Sequence, residues 1–316
     1  MNRNNTSPAR ALNSRQQRIL RQLKLDYQYY LLLLPAVAWY LIFAYGPLYG
    51  LQIAFKNFTG ARSILDSPWV GLRHFKLFIG SYYFPVLIKN TLAISLYALF
   101  AGMPIPVIVA LMLNEVKQIR YKKIIQTVTY APHFISTVVL VGMITIILSP
   151  STGIVNFVLK SLGAESRYFM VEPQSFRHIY IWSGIWQNTG WSSIIYLAAL
   201  SAVNPELHES AVIDGATRLQ RIRYINIPVI TPTFIILLIL SAGQLMSVGY
   251  EKVLLMQNDL NKTTSNIIST YVYERGLLKA EYSFASAVGL FNNVINFILL
   301  IFVNGIARKF SDTSLF

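Results

Sequence analysis

The chain has 316 residues, of which 54% are hydrophobic and 13% are charged. Soluble domains carry about 25% charged residues, so this composition excludes an ordinary soluble protein and predicts an integral membrane protein. Lys and Arg number 27 against 13 Asp and Glu, an excess typical of the flanks of apolar spans, so no nucleic-acid partner is predicted. The absence of cysteine excludes disulfide bonds, thiolate nucleophiles and Cys-ligated metal sites.

Six stretches contain no Asp, Glu, Lys or Arg, and each is longer than the roughly 20 residues that an α-helix needs to cross a bilayer. We therefore predict an all-α integral membrane protein with six transmembrane helices. Pro150 and Gly153 interrupt the longest stretch, so its helix is expected to end before them, with a short interfacial piece after it. The predicted spans lie near 29–55, 90–114, 127–148, 178–203, 224–250 and 283–307.

The segments around the spans set the predicted orientation. Residues 1–26 are polar and basic and contain no apolar core, so we expect a cytoplasmic tail rather than a signal peptide. Six spans place both termini on one side, and basic residues are denser in the segments that this arrangement puts inside the cell. The expected organisation is a tail at 1–26, a six-span domain at 27–310 and a cytoplasmic C-terminal tail at 311–316.

The predicted cytoplasmic loop 206–223 is too long and too patterned for a plain connector. Glu206 and Glu209 come early and Arg218 comes late, which suits a helix dipole, and Gly215 stands where two helical pieces would join. Apolar residues beside these charges make the element amphipathic, so it could lie on the membrane or fit into a groove on a partner. A solvated connector is the alternative that the pattern alone leaves open.

The same loop carries a spaced motif. Glu209-Ser210-Ala211 is followed after three residues by Gly215 and, after nine more, by Ile225-Asn226-Ile227-Pro228. This motif resembles the cytoplasmic signature of binding-protein-dependent ABC importer permeases, which reads Glu-Ala-Ala, three residues, Gly, nine residues and Ile-x-Leu-Pro. Ser210 replaces the first alanine and Ile227 replaces the leucine, and both substitutions keep a small or aliphatic side chain.

Looser similarities extend over most of the chain after the tail. Leu33-Leu34-Pro35-Ala36, Asn90-Thr91-Leu92 and Ala131-Pro132 are similar to carbohydrate-uptake permeases of the maltose-type class. Residues 271–291 are similar to the branch that imports complex oligosaccharides. The resemblance implies the MetI-like permease fold, a place in the bacterial inner membrane and the role of the first of two permeases.

The resemblance also implies a set of partners. They are a second homologous permease, two cytoplasmic ABC ATPases, an extracytoplasmic solute-binding protein, an oligosaccharide substrate and membrane lipid. The ATPases would bind ATP and Mg²⁺, since this chain has no Gly-x-x-x-x-Gly-Lys-Ser/Thr loop, and we expect it to be neither an enzyme nor a holder of cofactors. The residues assigned to ATPase contact are Glu206, Glu209, Ser210, Ala211, Asp214, Gly215 and Arg218.

Polar and aromatic residues within the predicted spans mark a candidate substrate path, because such groups are costly in lipid and usually face a bundle interior or a water-filled cavity. Amide, hydroxyl and aromatic groups suit a sugar. The alternatives are hydrogen bonds between helices and an interfacial belt of tryptophans. The candidates are Trp186, Gln187, Asn188, Trp191, Tyr196, Gln244, Ser247, Asn292, Asn293 and Asn296.

Two rival functions fit less of the sequence. An ion channel or secondary carrier accounts for six spans but not for the signature loop, and the spans hold no Asp or Glu for ion coupling. A membrane-embedded enzyme would need a catalytic motif, and the sequence contains none.

The outer loops 56–89 and 251–281 are expected to fold against the bundle or to receive the binding protein. The basic excess in 56–89 suits either an acidic oligosaccharide or an acidic binding protein.

Overall fold

The computed structural model describes residue 22, residues 25–310 and residues 314–315. Among these residues the chain is helical, and the one pairing of extended segments is an isolated bridge between Lys56 and Trp69. The predicted all-α class is confirmed. Most of the predicted tails 1–26 and 311–316 lies outside the described residues. The chain divides into a unit of residues 1–52 and a unit of residues 53–316.

The described part of the first unit is an apolar helix. Helix α1, Tyr27–Trp39, continues through a π-helical turn, Tyr40–Tyr45, into a 3₁₀ stretch, Gly46–Phe55, which runs past the boundary of the unit. No residue of α1 is buried and none is charged. A helix that exposes apolar side chains all round is stable in lipid rather than in water.

The second unit contains the remaining α-helices of the described chain. Short π-helical turns, Ile222–Asn226 and Glu274–Leu278, and a 3₁₀ turn, Ala131–Phe134, join some of them. The helices are α2 (Arg73–Ile79), α3 (Tyr83–Gly102), α4 (Pro104–Glu115), α5 (Ile119–Tyr130), α6 (Thr137–Ile147), α7 (Ile154–Ser161), α8 (Pro173–Ser201), α9 (Pro205–Ile213), α10 (Arg218–Arg221), α11 (Ile227–Ala242), α12 (Tyr250–Met256), α13 (Lys262–Ser265), α14 (Ile268–Tyr273) and α15 (Tyr282–Phe310).

Among the described residues, four helical stretches are long and apolar enough to cross a bilayer, and a bent pair makes a fifth if it counts as one span. The four are Tyr27–Phe55, Tyr83–Glu115, Arg218–Ala242 and Tyr282–Lys309. Helix α8 coincides with the predicted fourth span but is not among them, because its Trp, Gln, Asn and Ser residues lower its hydropathy. The total of six spans therefore stays a prediction.

The third predicted span, 127–148, is not one helix. The helical stretches Ile119–Phe134 and Thr137–Ile147 meet at an angle of 100°. Pro132 lies in the 3₁₀ turn, Ile135 is extended, and the Ser136 hydroxyl caps α6 by accepting a hydrogen bond from the Val139 N–H at 3.4 Å. Local backbone chemistry thus ends one helix and begins another inside a charge-free stretch.

The fifth predicted span, 224–250, is displaced along the chain. The helix begins at Arg218 and ends at Ala242, and residues 243–249 are not helical before α12 starts at Tyr250. Helix α3 likewise begins at Tyr83, before the predicted position 90. Absence of charge is therefore a poor marker of helix ends, because a helix can carry a charged residue such as Lys89 where it leaves the apolar layer.

Three apolar clusters form the core of the second unit. The predicted outer loop 251–281 supplies Val253, Met256 and Ile267 to one cluster and Ile268 and Tyr271 to another. It therefore folds against the bundle, which is one of the two expectations for this loop. The third cluster joins α4, α8 and α11. Helix α8 contacts α3, α4, α5 and α11, so other helices cover part of its polar surface, which helps to accommodate a polar helix in a membrane protein.

Candidate coupling loop and translocation cavities

Loop 206–223 begins with a capped helix and ends that helix in a left-handed turn. The Asn204 Oδ1 atom accepts a hydrogen bond from the Glu206 N–H at 3.0 Å, which caps α9. At the other end Gly215 has φ +81°. The Gly215 N–H donates to the Val212 carbonyl at 3.0 Å and the Ala216 N–H donates to the Ala211 carbonyl at 2.8 Å. These two bonds form a Schellman motif. The motif requires a left-handed backbone conformation at one residue, which glycine adopts without strain.

A second cap joins the loop to the following span. The Thr217 hydroxyl accepts a hydrogen bond from the Gln220 N–H, and the Gln220 side chain accepts one from the Thr217 N–H at 2.7 Å. Helix α10 then continues through the π-helical turn into α11, so that Arg218–Ala242 is one stretch of 25 residues. The predicted pair of helical pieces joined at Gly215 is confirmed, and the second piece is the start of a long apolar helix.

The residues assigned to ATPase contact lie together on the surface of this loop. Ala211 is half-buried, while Glu206, Glu209, Ser210, Asp214, Gly215 and Arg218 are exposed. Apolar side chains accompany them: Ile213 is 85% exposed and Leu219 is 76% exposed. A solvated connector seldom leaves such large aliphatic groups bare, so the loop has the composition of a contact surface. The contact itself stays a prediction.

Two open cavities lie between the helices of the second unit. The first, of 540 Å³, is bounded by α3, by the end of α11 and by the non-helical residues 243–249. The second, of 310 Å³, is bounded mainly by α3 and α8. Ala98, Gly102 and Tyr180 line both cavities. Because they share these walls, the two cavities are neighbours along α3 and α8.

Four of the predicted path residues line these cavities. Gln244 and Ser247 line the first and Gln187 and Asn188 line the second. The Gln187 Nε2 atom donates to the carbonyl of Ile135 at 2.7 Å, where α5 and α6 separate. The sequence placed Gln244 and Ser247 on a helix, whereas they lie in the break that follows α11.

A histidine and a tryptophan stack on each other beside Gln187 and Asn188 of α8. The ring of His133 stacks on the ring of Trp191 with centroids 4.6 Å apart and 5° between the planes. The His133 Nδ1 atom and the Asn188 Oδ1 atom lie 3.0 Å apart in a hydrogen bond. His133 therefore holds two of the predicted path residues, Asn188 and Trp191, to the break between α5 and α6. No pattern in the sequence connects these three residues.

The other predicted path residues lie away from the cavities. Trp186 and Trp191 are about half exposed on the surface of α8, at 50% and 47%. Tyr196 is 3% exposed and belongs to the third core cluster. On α15, Asn293 is exposed, whereas Asn292 and Asn296 are each 8% exposed. The structure of the chain thus divides the set of ten into cavity, core and surface positions.

Asn296 holds the break after α11. Its Oδ1 atom accepts a hydrogen bond from the Met246 N–H at 2.8 Å, and its Nδ2 atom donates to the Ser247 hydroxyl at 2.7 Å. The backbone of residues 243–249 has left the helical hydrogen-bond pattern, so a buried amide from α15 satisfies groups that a continuous helix would satisfy internally. This is the interhelical role that the sequence left open as an alternative.

Replacing Asn296 with Leu should lower the stability of the purified protein by about 1–2 kcal/mol, because the buried Met246 N–H loses its acceptor. Asn293→Leu is the matched control, since Asn293 is exposed on the same helix. Thermal unfolding in detergent measures both. Equal melting temperatures for the two variants would contradict the anchoring role of Asn296.

Lys252 is a cavity residue that the sequence analysis missed. It lines the second cavity, yet only 9% of it is exposed. It lies two residues beyond the predicted fifth span, 224–250, where the sequence predicts an outer loop. Burial lowers the pKa of its ammonium group to about 8, which leaves the group mostly protonated at neutral pH. It is the one charged side chain that lines either cavity in the described part of the chain.

Comparison with known proteins decides the family. Residues 102–312 match the model of the binding-protein-dependent transport system inner membrane component. The chain belongs to this family. It is a transport permease of the inner membrane and not an enzyme, and the resemblance found in loop 206–223 is confirmed.

Individual relatives match over nearly the whole chain. Protein LplB of Bacillus subtilis (strain 168) is 41% identical over 294 residues, which cover 93% of this chain and 92% of LplB. The polygalacturonan/rhamnogalacturonan transport system permease protein YteP of the same organism is 38% identical over 303 residues, covering 96% and 94%. This permease family therefore includes a relative that is named for the transport of polygalacturonan and rhamnogalacturonan.

A solved structure has the same fold. A chain of the bacterial alginate ABC transporter, in complex with an alginate pentasaccharide-bound periplasmic protein, superposes with a TM-score of 0.87 at 42% identity and covers 94% of this chain and 100% of its own length. The MetI-like permease fold is thereby confirmed.

Among the described residues there is no group of three or more His, Asp or Glu side chains that could hold a metal ion.

Proposed function

We propose that this chain is one permease subunit of an ATP-driven importer of oligosaccharides. The names of its relatives support the carbohydrate class, since YteP is named for polygalacturonan and rhamnogalacturonan and the solved transporter is named for alginate. The observation that carries the mechanism is the direct connection of the exposed signature loop to the helix Arg218–Ala242, whose C-terminal end borders the first cavity.

The loop 206–223 couples the permease to a cytoplasmic ATPase. Its exposed acidic residues and exposed Ile213 and Leu219 provide both charge and apolar surface for a cleft on the partner. Two capped turns fix the loop, so a push on α9 is transmitted through Gly215 and Thr217 to the long helix instead of being absorbed. Movement of that helix changes the wall of the first cavity.

The assembly contains a second homologous permease, two ABC ATPases that bind ATP and Mg²⁺, and an extracytoplasmic binding protein. The family is defined by its dependence on a binding protein, and the solved relative is in complex with a periplasmic protein that carries a pentasaccharide. Six spans with cytoplasmic termini place loop 206–223 on the ATPase side. A channel or uncoupled carrier finds no support in the family or its relatives.

The substrate passes along the two cavities and across the face of α8. Gln187, Asn188, Gln244 and Ser247 offer amide and hydroxyl groups that exchange hydrogen bonds with sugar hydroxyls. The partner permease supplies the opposite wall, since both cavities are open on the single chain. Trp186 and Trp191, half exposed on α8, provide apolar faces for sugar rings.

Gentle solubilisation of the tagged chain from its native membrane, followed by mass spectrometry of the proteins that remain bound, tests this assembly. We expect a second permease of the same family and an ABC ATPase. The Glu165→Lys variant, altered on an exposed residue outside the loop, should retain both partners, whereas Glu209→Lys should lose the ATPase. Recovery of the ATPase in equal amounts with both variants would contradict the role of the loop.

A further inference from the structure

The Lys252 ammonium group is buried without an acidic partner. Its Nζ atom donates to the carbonyl oxygen of Tyr180 at 2.9 Å and lies 4.9 Å from the centre of the Tyr180 ring. None of the ion pairs in the described part of the chain involves it. A buried charge that no countercharge balances is costly, and such groups in membrane proteins mark functional sites.

The surroundings of Lys252 leave it available to a ligand in the second cavity. The carbonyl of Tyr180 uses one of its three donors. Across from it Gly184 has no side chain, and a Cβ atom there would lie 3.4 Å from the Lys252 Nζ atom, so the ammonium group rests against the bare backbone of α8. No acidic side chain lines this cavity or the neighbouring one.

The remaining wall of the cavity carries no charge and combines apolar residues such as Pro106, Ile181 and Ile185 with polar ones. Gln187, Asn188 and Ser192 line it, and the hydroxyl of Thr189 is buried there without a hydrogen-bond partner. Neutral donors and acceptors around a single cation form a site for an anionic group attached to a polyhydroxylated molecule. An inorganic cation would not be accommodated beside the ammonium group, because like charges repel and no carboxylate lines the cavity.

We propose that Lys252 binds the carboxylate of an acidic sugar unit in the second cavity and gives the permease its preference for uronate-containing oligosaccharides over neutral ones. This inference rests on the proposed function, and it names the substrate class of the same path. A static role for Lys252, in which it only packs on Tyr180, is the alternative. The two roles differ in their effect on neutral substrates, because packing serves every substrate alike.

Uptake into proteoliposomes that contain the whole transporter with its binding protein tests the proposal. The probes are trigalacturonate and the same trimer with its carboxylates reduced to alcohols, each at a concentration that saturates the binding protein. Lys252→Met should lower the ratio of acidic to neutral uptake by roughly 10- to 100-fold, the range expected for losing a charge-assisted hydrogen bond. Lys252→Arg, which keeps the charge, should restore most of the ratio.

The control is Lys262→Met, which removes an exposed lysine paired with Asp259 at 2.9 Å in the same outer loop and should leave the ratio unchanged. An equal loss of both uptakes in Lys252→Met, or no change in either, would overturn the role of Lys252. A wild-type complex that imports only the neutral trimer would overturn this inference and leave the importer intact. A wild-type complex that imports neither trimer would contradict the proposed function and this inference together.

Discussion

Gly215→Val is expected to reduce oligosaccharide uptake at least tenfold while the transporter still assembles in the membrane. Gly215 has φ +81°, a conformation that a β-branched residue adopts only at a cost of about 1–2 kcal/mol or more. A Cβ atom at this position would meet nothing within 4 Å, so the effect would come from the backbone and not from a clash. The turn would rearrange and release α9 from the long helix.

The matched control is Gly215→Asn, because asparagine tolerates the left-handed conformation and should keep most of the uptake. Glu209→Lys reverses the charge on α9 without touching the turn and should also abolish uptake, in this variant because the ATPase no longer binds. For Gly215→Val, uptake and ATP hydrolysis are measured on the same preparation, and we expect hydrolysis to lose its dependence on substrate. Full uptake by both Gly215→Val and Glu209→Lys would refute the coupling assignment.

Gly190→Ala is expected to destabilise the membrane domain more than any other single methyl group added to α8. Gly190 is buried, and an added Cβ atom would collide with the backbone carbonyl of Thr129 in α5. A carbonyl held in a helix cannot move aside, so α5 and α8 would have to separate. Overpacking of this kind costs about 1–3 kcal/mol, which should lower the melting temperature of a chain of this length by about 2–5 °C.

Gly142→Ala is the control for this substitution. Gly142 lies within α6, and nothing is within 4 Å of an added Cβ atom, so alanine should be neutral or should stabilise the helix slightly. Thermal unfolding of the purified variants in one detergent compares them. A melting temperature for Gly190→Ala equal to that of Gly142→Ala would show that α5 and α8 do not approach as closely as described.

The helical structure of loop 206–223 and its membership of the signature motif were predictable, because particular residues occur there at particular spacings. Gly215 and the order of charges on either side indicated two helical pieces, because glycine and helix dipoles act locally. The capping box at Thr217 and Gln220 is also local and could have been read from the sequence. The continuation of α10 into α11 was missed, because charge was taken to end the span and Arg218, Arg221 and Arg223 were assigned to the loop.

The cavities were less predictable, since they depend on contacts between distant parts of the chain. Polar residues in apolar stretches indicated Gln187, Asn188, Gln244 and Ser247, but the same pattern gave Tyr196, which lies in the core. Composition cannot separate a cavity wall from a helix contact, because both use amides and hydroxyls. Lys252 was missed because charge was taken as a sign of exposure, and its burial results from the packing of α12 against α8.

Oligosaccharide uptake by proteoliposomes that contain the permease pair, the ATPase and the binding protein tests whether this chain is part of an ATP-driven importer. Trigalacturonate should enter only when ATP is supplied on the ATPase side and the binding protein on the other, and a hydrolysis-deficient ATPase should abolish entry. Entry without ATP, or through this chain alone, would refute the importer and would identify the protein as a channel or an uncoupled carrier.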